Sequence, residues 1–410
     1  MKKIAIIGTG RVGLPFGLFL ESLGFSVTGI DKDIALLKIL RDRIMPFEEP
    51  GCQDLLTHSR IQFTDDISII KNVDYIFITV GTPLMPHIET DLSNVEAVIK
   101  SLIPHMQKGQ SIFLRSTVAP RTTEYVKSFL EEHSSFRIGK NIALAFCPER
   151  LAEHKALAEL KTLPQIIGCE DELSYEKAIE IFAPFNVKMF KTTYISAELV
   201  KLFNNSARYI EFAVANQFAI YANEFDQNIY DILRLANEDY PRGFIYRPGL
   251  TAGTCLRKDF GMINELSPGS DLLLASWKIN EFMPYHLIEL AARHAEIKGA
   301  KVAVLGYTFK RDSDDTRDSL VPKLIRYIER KVPHEIVLCE PNLKTQVIER
   351  YANRNISEAL QGTDIVFVAV NHKEFSNSNI IWKALKPEAL VIDIWNCLGK
   401  NQVVLRKERV

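Results

Sequence analysis

Short apolar, β-branched runs alternate with stretches of helical periodicity over about the first 190 residues. This alternation is typical of a parallel β-sheet whose strands are connected by crossover helices. The first strand comes directly after the N-terminus, and a helix over Leu14–Leu23 follows it. We predict strands at Lys3–Ile7, Ser26–Ile30, Tyr75–Val80, Ser111–Arg115, Ile142–Phe146 and Gln165–Gly168.

The pattern changes over residues 195–225, where apolar positions recur at threes and fours without a proline. This spacing predicts one long helix that could join two domains. Strand and helix patterns then alternate again, at Val302–Leu305, Leu320–Arg330, Glu335–Cys339, Asp364–Val370 and Leu390–Ile394. We therefore predict the α/β class, with two Rossmann-like doubly wound domains joined by a long central helix.

The chain has 410 residues, which is too long for a single core of ordinary size. We expect a first α/β domain over residues 1–192 and a central helical part over 193–295. The central part includes a turn-rich segment, Tyr240–Thr254, and we expect it to mediate dimerisation. A second α/β domain is predicted over 296–410.

Composition limits the classes of partner. The net charge of -1 gives no basic field of the kind that attracts nucleic acid, and no apolar run is long enough to span a membrane. The six cysteines are scattered, without a pair or cluster of metal-ligand spacing. We expect free thiols in a cytoplasmic protein, with no metal, nucleic acid or membrane as partner.

A glycine-rich turn, Gly8-Thr9-Gly10-Arg11-Val12-Gly13, connects the first predicted strand to the first helix. Its glycines suit a tight turn, close approach of a pyrophosphate and close packing of helix on strand. Asp31 ends the second strand, where a carboxylate accepts hydrogen bonds from ribose hydroxyls and favours NAD over NADP. The residues expected to bind NAD here are Gly8, Gly10, Arg11, Val12, Gly13, Asp31 and Lys32.

Further motifs follow in order along the chain. They are Gly81-Thr82-Pro83, Ser116-Thr117-Val118, Cys147-Pro148-Glu149-Arg150-Leu151-Ala152-Glu153, Glu198-Leu199-Val200-Lys201-Leu202-Phe203-Asn204-Asn205, Cys255-Leu256-Arg257-Lys258-Asp259, Gly306-Tyr307-Thr308-Phe309-Lys310 and Asp314-Asp315-Thr316-Arg317-Asp318-Ser319. Together they resemble the nucleotide-sugar 6-dehydrogenase family, of UDP-glucose/GDP-mannose type, from the first strand to about Leu398. The resemblance implies NAD-dependent oxidation of the C6 alcohol of a UDP-sugar to a carboxylate, without release of the aldehyde. It adds Thr82, Pro83 and Thr117 to the cofactor site.

Cys255 is the candidate nucleophile. A thiolate can capture an aldehyde as a thiohemiacetal, which loses a hydride to become a thioester that water hydrolyses. We expect Cys255 in a glycine-containing loop, beside the positive charges of Arg257 and Lys258, which lower a thiol pKa. On local sequence alone a buried structural cysteine is the better interpretation, and the resemblance reverses that preference.

Lys201 and Asn205 are one helical turn apart, so both side chains leave one face and can stabilise an oxyanion. The resemblance implies that Asp259 and Thr117 position water, and that Glu153, with Glu149 near it, helps to deprotonate it. An ordinary exposed glutamate in a first helical turn is the alternative for Glu153. The residues expected to bind the UDP-sugar are Glu149, Arg150, Lys201, Asn205, Arg242, Arg247, Gly249, Lys310 and Arg317.

The sequence departs from the family pattern at several positions. Arg121 and His154 stand where the family often has glycine, and Arg257 stands where it usually has proline. Arg150 replaces an aromatic residue that is typical of UDP-glucose enzymes. The Pro-Glu-Arg sequence is closer to members that act on UDP-N-acetylhexosamines, so the identity of the sugar stays open.

Two other functions compete with this hypothesis. A two-electron 3-hydroxyacid dehydrogenase also combines a Rossmann domain with a long helix, but it needs neither a nucleophilic cysteine nor a third domain. The other is a non-catalytic NAD-binding sensor, although competent residues occupy every catalytic position of the motif. We further expect a homodimer, because a long linking helix with an apolar face commonly buries that face against a second copy.

Overall fold

The computed structural model describes residues 1–82, 91–251, 253–264, 269 and 271–407, and the side chains of 254–257 and 264 lie outside this description. The chain divides into two compact units. Unit 1 comprises Met1–Asn204 and Lys258–Pro268, and unit 2 comprises Asn205–Arg257 and Gly269–Val410. Each unit has its own β-sheet.

Unit 1 is built on an eight-stranded sheet of order β3-β2-β1-β4-β5-β6-β7-β8. Its strands are β1 Lys3–Ile7, β2 Ser26–Ile30, β3 Gln62–Thr64, β4 Tyr75–Ile78, β5 Ser111–Leu114, β6 Ala143–Phe146, β7 Gln165–Gly168 and β8 Met189–Thr192. The pairs are parallel except β6 with β7, which is antiparallel. The central strands β1, β4, β5 and β6 are apolar and almost wholly buried, as expected of strands covered on both faces.

The helices of unit 1 are α1 Gly13–Ser22, α2 Ile34–Arg41, α3 Cys52–His58, α4 Ser93–Leu102, α5 Thr122–His133, α6 Ala156–Leu160 and α7 Glu172–Phe182. Local chemistry defines several of their starts. Asp33 caps α2 by accepting from the N–H groups of Ala35 and Leu36. The core contains an aromatic cluster that includes Phe16, Phe77 and Phe113.

Helix α8, Tyr194–Glu224, begins in unit 1 and continues into unit 2. Helix α10, Thr254–Asn264, begins in unit 2 and ends in unit 1. The other helices of unit 2 are α9 Ile229–Asn237, α11 Asp271–His294, α12 Val321–Glu329, α13 Ile356–Leu360 and α14 Ser378–Ala384. The strands are β9 Lys301–Leu305, β10 Glu335–Cys339, β11 Val347–Ile348, β12 Tyr351–Ala352, β13 Ile365–Val368, β14 Leu390–Ile392 and β15 Val404–Arg406. The main sheet has the order β10-β9-β13-β14-β15, and only β15 is antiparallel to its neighbour.

The predicted α/β class is confirmed, with two doubly wound sheets and a long central helix. Each predicted strand exists, with ends that differ by at most two residues. Strands β3, β8 and β15 and the hairpin β11–β12 were not predicted, because they are short and partly polar.

The expectation that Cys255 lies in a loop is wrong: it is the second residue of α10. Among the described residues, no helix is long and apolar enough to cross a membrane.

Candidate active site

The glycine-rich turn between β1 and α1 requires glycine at both ends. Gly8 adopts a φ of 93°, and a Cβ there would lie 3.0 Å from the carbonyl carbon of Thr79. A Cβ on Gly13 would lie 1.9 Å from the backbone oxygen of Gly8, which no side chain can tolerate. A Cβ on Gly10 would meet nothing within 4 Å, so the turn is open to a ligand there. Because α1 begins at Gly13, its positive dipole end lies at this turn.

Asp31 follows β2 and holds the turn in place. Its Oδ2 accepts from the backbone N–H of Thr9 at 2.7 Å and from the Thr9 hydroxyl at 3.2 Å, and its Oδ1 accepts from the N–H of Asp33 at 3.1 Å. A carboxylate has about four acceptor sites, so capacity remains for ribose hydroxyls. Lys32 donates from its ammonium group to Asn94 Oδ1 at 3.0 Å.

A cavity of about 410 Å³ lies at the carboxyl ends of β1, β2 and β4. The strand order reverses between β1 and β4, which is where doubly wound sheets bind their ligands. Gly8, Gly10, Asp31, Lys32 and Gly81 all line this cavity. The glycine turn, the helix dipole and the acidic residue therefore suit a dinucleotide.

The other predicted cofactor residues have separate positions. The Arg11 guanidinium lies 5.0 Å from the ring centroid of Phe47, and Val12 is the N-cap residue of α1. The Thr82 hydroxyl donates to the backbone oxygen of Thr117. This bond links the segments that follow β4 and β5. Pro83 lies outside the described residues.

Lys201 and Glu149 form a buried pair in unit 1. The Lys201 ammonium lies 4.0 Å from Glu149 Oε2, and their side chains are 8% and 11% exposed. Glu149 also accepts from the backbone N–H of Leu151. Burial lowers the pKa values of Arg115 and Arg150, and the negative charge of Glu149 opposes both shifts. Glu149 is thus a carboxylate that interacts with the positive charges of Lys201, Arg115 and Arg150.

The remaining predicted residues of unit 1 lie on three segments of the chain. Asp259 is fully buried in α10, one turn after Cys255. Thr117 is half-buried after β5, and Glu153 is half-buried before α6. The Arg150 guanidinium donates to the backbone oxygen of Pro164. Glu153 therefore belongs to a loop, and the alternative interpretation, an exposed glutamate in a first helical turn, is wrong because α6 begins only at Ala156.

In unit 2, the segment that leads to Cys255 packs against the loop after β9. Gly253 has a φ of 103°, and a Cβ there would lie 2.4 Å from the Phe309 ring. Its N–H donates to the backbone oxygen of Asp318 at 3.1 Å. Asn205, one turn after Lys201, is half-buried in the part of α8 that belongs to this unit.

The predicted phosphate-binding cations are spread over unit 2. Arg317 is exposed and makes a bidentate pair with buried Asp315, with a closest distance of 2.6 Å. The Lys310 ammonium lies 5.6 Å from the Phe309 ring centroid. Arg242 and Arg247 are both exposed, and the Arg242 guanidinium lies 5.0 Å from the ring of Tyr240.

Gly249 is buried against an indole ring. A Cβ there would lie 2.2 Å from the ring of Trp395, which excludes any larger residue. Its N–H donates to Asn216 Oδ1 at 2.9 Å, and its carbonyl accepts from Asn216 Nδ2 at 3.1 Å. The turn Arg247-Pro248-Gly249 is therefore fixed to α8.

A buried dyad, His372 and Glu340, holds the loop that carries Lys310. Glu340 accepts from the N–H groups of Tyr307 and Thr308 at 2.7 and 3.1 Å, and its Oε2 lies 3.0 Å from His372 Nε2. His372 Nδ1 accepts from the N–H of Asp312 at 2.9 Å and also lies 3.0 Å from Asn342 Nδ2. Asp312, His372 and Glu374 have the spacing of a metal site. Both ring nitrogens of His372 already form hydrogen bonds within the protein.

Sequence reasoning did not identify the contacts of four residues at the site, although it expected the charge of Lys258 to act on Cys255. The Lys258 ammonium donates to Thr82 Oγ1 at 3.0 Å, so it lies beside the loop after β4. Buried Glu198 accepts from the N–H groups of Arg121 and Thr123 at 2.7 and 2.8 Å. Arg115 and Glu49 are the other two. Lys258 and Glu198 stood inside quoted motifs, which was a usable signal. Nothing near Arg115 or Glu49 in sequence indicated their contacts.

Comparison with known proteins covers nearly the whole chain. Residues 2–186, 195–281 and 303–400 match the NAD binding, central and UDP binding domains of the UDP-glucose/GDP-mannose dehydrogenase family. The chain belongs to this family. The predicted resemblance is therefore confirmed, as are NAD as cofactor and the class of NAD-dependent oxidoreductase. The match of residues 303–400 counts against a 3-hydroxyacid dehydrogenase, and enzyme relatives count against a sensor.

Individual relatives agree with this assignment. UDP-N-acetyl-D-mannosamine dehydrogenase of Pyrococcus horikoshii is 30% identical over 93% of this chain and 92% of its own length. UDP-glucose 6-dehydrogenase of Rickettsia prowazekii is 28% identical over 98% and 96%. The native structure of UDP-N-acetyl-mannosamine dehydrogenase from Staphylococcus aureus superposes with a TM-score of 0.85 at 26% identity, covering 97% of this chain and 96% of that one.

Proposed function

We propose that this family member oxidises the C6 alcohol of a UDP-sugar to the UDP-uronic acid in two NAD-dependent steps, with Cys255 as covalent catalyst. The observation that carries the proposal is the buried Lys201–Glu149 pair, which lies in the unit that also holds the dinucleotide cavity. Burying an ion pair costs desolvation free energy, so two charged residues kept buried are candidates for a chemical role. Residues 1–192 then bind the cofactor, 193–295 link and dimerise, and 296–410 bind the UDP moiety.

Each catalytic residue has a separate part in the proposed reaction. The glycine turn and Asp31 would hold NAD, and two NAD molecules bound in succession would each supply the acceptor for one hydride. Lys201 and Asn205 hold the C6 oxygen as negative charge develops on it. Cys255 adds to the aldehyde, and loss of hydride from the thiohemiacetal gives a thioester. The first turn of α10 favours an anion at Cys255, because the positive end of the helix dipole lies there.

The thioester is then hydrolysed. Asp259 and Thr117 position a water molecule, and Glu153, supported by Glu149, takes one of its protons. The oxygen of water bonds to the acyl carbon, the carbon–sulfur bond breaks, and the thiol is regenerated beside a carboxylate. In sum, alcohol, water and two NAD give a carboxylate, two NADH and protons.

The substrate we propose is a UDP-N-acetylhexosamine, with UDP-glucose as the other candidate. Relatives named for UDP-N-acetyl-D-mannosamine and for UDP-glucose support the UDP moiety. Arg150 in place of an aromatic residue favours the N-acetylated sugar. The diphosphate contacts Arg242, Arg247, Gly249, Lys310 and Arg317, since these cations and the Gly249 turn belong to unit 2. Glu149 and Arg150 contact the sugar.

We also infer a homodimer, a cytoplasmic location and a place in polysaccharide biosynthesis, where uronic acids are building blocks. Cys52, Cys147, Cys169, Cys339 and Cys397 are free thiols, which suits a reducing compartment. The α8 helix carries exposed apolar side chains along its second half, and a second copy of the chain would cover them.

The decisive experiment measures NADH released per sugar consumed. The panel contains UDP-glucose, UDP-N-acetylglucosamine, UDP-N-acetylmannosamine, UDP-N-acetylgalactosamine and GDP-mannose. We expect two NADH per sugar on a UDP-N-acetylhexosamine. The Cys255→Ser variant should lose acid formation by about a thousandfold or more, because a serine hydroxyl is a far weaker nucleophile at neutral pH.

Cys397→Ser is the matched control, because it makes the same substitution at a free thiol of unit 2 that has no part in the proposed reaction. It should keep the wild-type ratio and rate. One NADH per sugar with free aldehyde, or full acid formation by Cys255→Ser, would contradict the covalent role of Cys255.

A further inference from the structure

A buried glutamate, Glu49, holds the segment that carries the proposed catalytic carboxylates. Its Oε2 accepts from the N–H of His154 at 2.8 Å, and its Oε1 accepts from the N–H of Ala156 at 2.9 Å. The side chain comes from the loop between α2 and α3, 105 residues before His154, and is 9% exposed. Both oxygens of one carboxylate thus fix two N–H groups where segment 147–155 ends and α6 begins.

Segment 147–155 needs this restraint because it contains no helix or strand. Two other N–H groups of the segment also donate to carboxylates: that of Leu151 donates to Glu149, and that of Ala152 donates to Glu159 at 2.7 Å. His154 has a φ of 67°, a conformation that costs a non-glycine residue about 1–2 kcal/mol. The segment therefore keeps its shape through charge-assisted hydrogen bonds.

The loop that carries Glu49 is itself fixed at its base and near the cofactor turn. Gln53 accepts from the N–H of Met45 and donates to the backbone oxygen of Arg43, both at 2.9 Å. Phe47, two residues before Glu49, lies under the Arg11 guanidinium of the glycine turn. One short loop therefore contacts the dinucleotide turn through Phe47 and the catalytic segment through Glu49.

We propose that Glu49 is a positioning residue for thioester hydrolysis. It fixes the backbone at His154 and so sets the place of Glu153, the residue before it, relative to the attacking water. Hydride transfer relies on Lys201 and Asn205, which α8 positions. Loss of the Glu49 contact therefore slows hydrolysis more than either hydride transfer. This inference rests on the proposed function.

The test compares Glu49→Gln with Glu48→Gln. The amide at position 49 keeps the size of the side chain but turns one acceptor into an NH₂ group, which faces a backbone N–H. Glu48 is the exposed neighbouring carboxylate and serves as the control. Glu49→Asp keeps the charge on a shorter side chain and serves as a second variant should Glu49→Gln fold poorly.

Each enzyme is mixed with NAD and the UDP-sugar that the panel identifies. NADH release is followed in the first turnover, and the protein is quenched during steady state for intact mass measurement. In Glu49→Gln we expect a normal burst of two NADH per site and then a steady rate reduced about tenfold to a hundredfold, the effect of a small misplacement of a catalytic group. The thioester on Cys255 should accumulate, and kcat/KM for NAD should stay unchanged because the steps before hydrolysis are intact.

Three results are informative. Accumulated thioester in Glu49→Gln or Glu49→Asp, and not in Glu48→Gln, supports the inference. If the wild type gives two NADH per sugar, two results would overturn the inference and leave the proposed function intact. One is that neither position-49 variant accumulates the thioester, and the other is that the burst rate and the steady rate fall equally. One NADH per sugar in the wild type overturns the proposed function, and the inference falls with it.

Discussion

Arg121 and His154 both have left-handed backbone conformations, with φ values of 71° and 67°. These are two of the positions where the sequence departs from a family glycine. A non-glycine residue with positive φ is strained unless its surroundings hold it. At Arg121 the restraint is Glu198, which accepts the Arg121 N–H at 2.7 Å. At His154 it is Glu49, at 2.8 Å.

Replacing Arg121 by glycine should stabilise unit 1. The exposed side chain is lost at little cost, the N–H bond to Glu198 is kept, and the strain of about 1–2 kcal/mol is relieved. Greater freedom of glycine in the unfolded chain offsets about 0.5–1 kcal/mol of this gain. We expect the free energy of unfolding in urea to rise by about 0.5–1 kcal/mol.

Arg121→Ala is the control for that measurement, since it removes the same side chain and leaves the strain in place. An equal rise in both variants would mean that the arginine side chain, and not its backbone conformation, is responsible.

The sequence could indicate such residues only in part. The motif comparison marked Arg121 and His154 as unusual, because glycine at a fixed place in a motif implies positive φ. It could not indicate Glu49 or Arg115, whose contacts join residues far apart in sequence. Arg115 donates to the backbone oxygen of Cys147 at 3.3 Å and lies 4.4 Å from the ring centroid of Phe16.

At the scale of elements, buried strands were the most predictable, because continuous apolar runs bounded by glycine or polar residues identify them. The edge strand β8, which is exposed or half-buried throughout, and the three-residue β3 lack that signal. Helix α10 was missed because Gly253 and the preceding turn-rich segment resembled a continuing loop. Its start at Thr254 follows from the positive φ of Gly253, which ends the loop there.

Helices α8 and α11 are linked by a histidine whose titration should affect stability. The Asn223 amide nitrogen lies 2.9 Å from His286 Nε2. Burial, assisted by the charge of Arg293, lowers the pKa of His286 from 6.5 to about 4. The folded state thus favours neutral histidine, so its contribution to stability is present above pH 6.5 and is lost as the pH falls towards 4.

We expect His286→Gln to remove this pH dependence. In the wild type, the free energy of unfolding should fall by up to about 3 kcal/mol between pH 6.5 and 4 because of this group. Glutamine keeps a polar contact with Asn223 and does not titrate. Urea unfolding across this range measures the difference.

His294→Gln, at the exposed end of α11, should retain the wild-type slope. A wild-type slope in His286→Gln as well would show that His286 does not titrate differently in the folded and unfolded states.

At the scale of the whole molecule, the second half of α8 and the residue after it carry an exposed apolar stripe. Val214, Phe218, Tyr221 and Phe225 follow one another at intervals of four, three and four, which places them on one helical face. A monomeric protein seldom leaves such a stripe uncovered. This supports the proposed homodimer, which sequence periodicity had already led us to expect.

Phe218→Glu should weaken the dimer by about thirtyfold or more, since an aromatic side chain that the proposed dimer would bury is replaced by an unpaired charge. Light scattering of the wild type should give twice the 46.6 kDa mass of one chain, and the variant should approach one chain mass on dilution. Ile44→Glu, an exposed apolar residue of unit 1, should leave the mass unchanged. A monomeric wild type would contradict the dimer.

The contact between Gly249 and Trp395 gives this protein a built-in optical probe. The chain has three tryptophans, and the indole N–H of Trp395 donates to the backbone oxygen of Ala369 at 2.9 Å while its ring covers Gly249. A ligand held by the turn Arg247-Pro248-Gly249 would change the surroundings of that ring. Tryptophan emission could then report occupancy of unit 2 without any turnover, and removing the indole at 395 would identify the source of the signal.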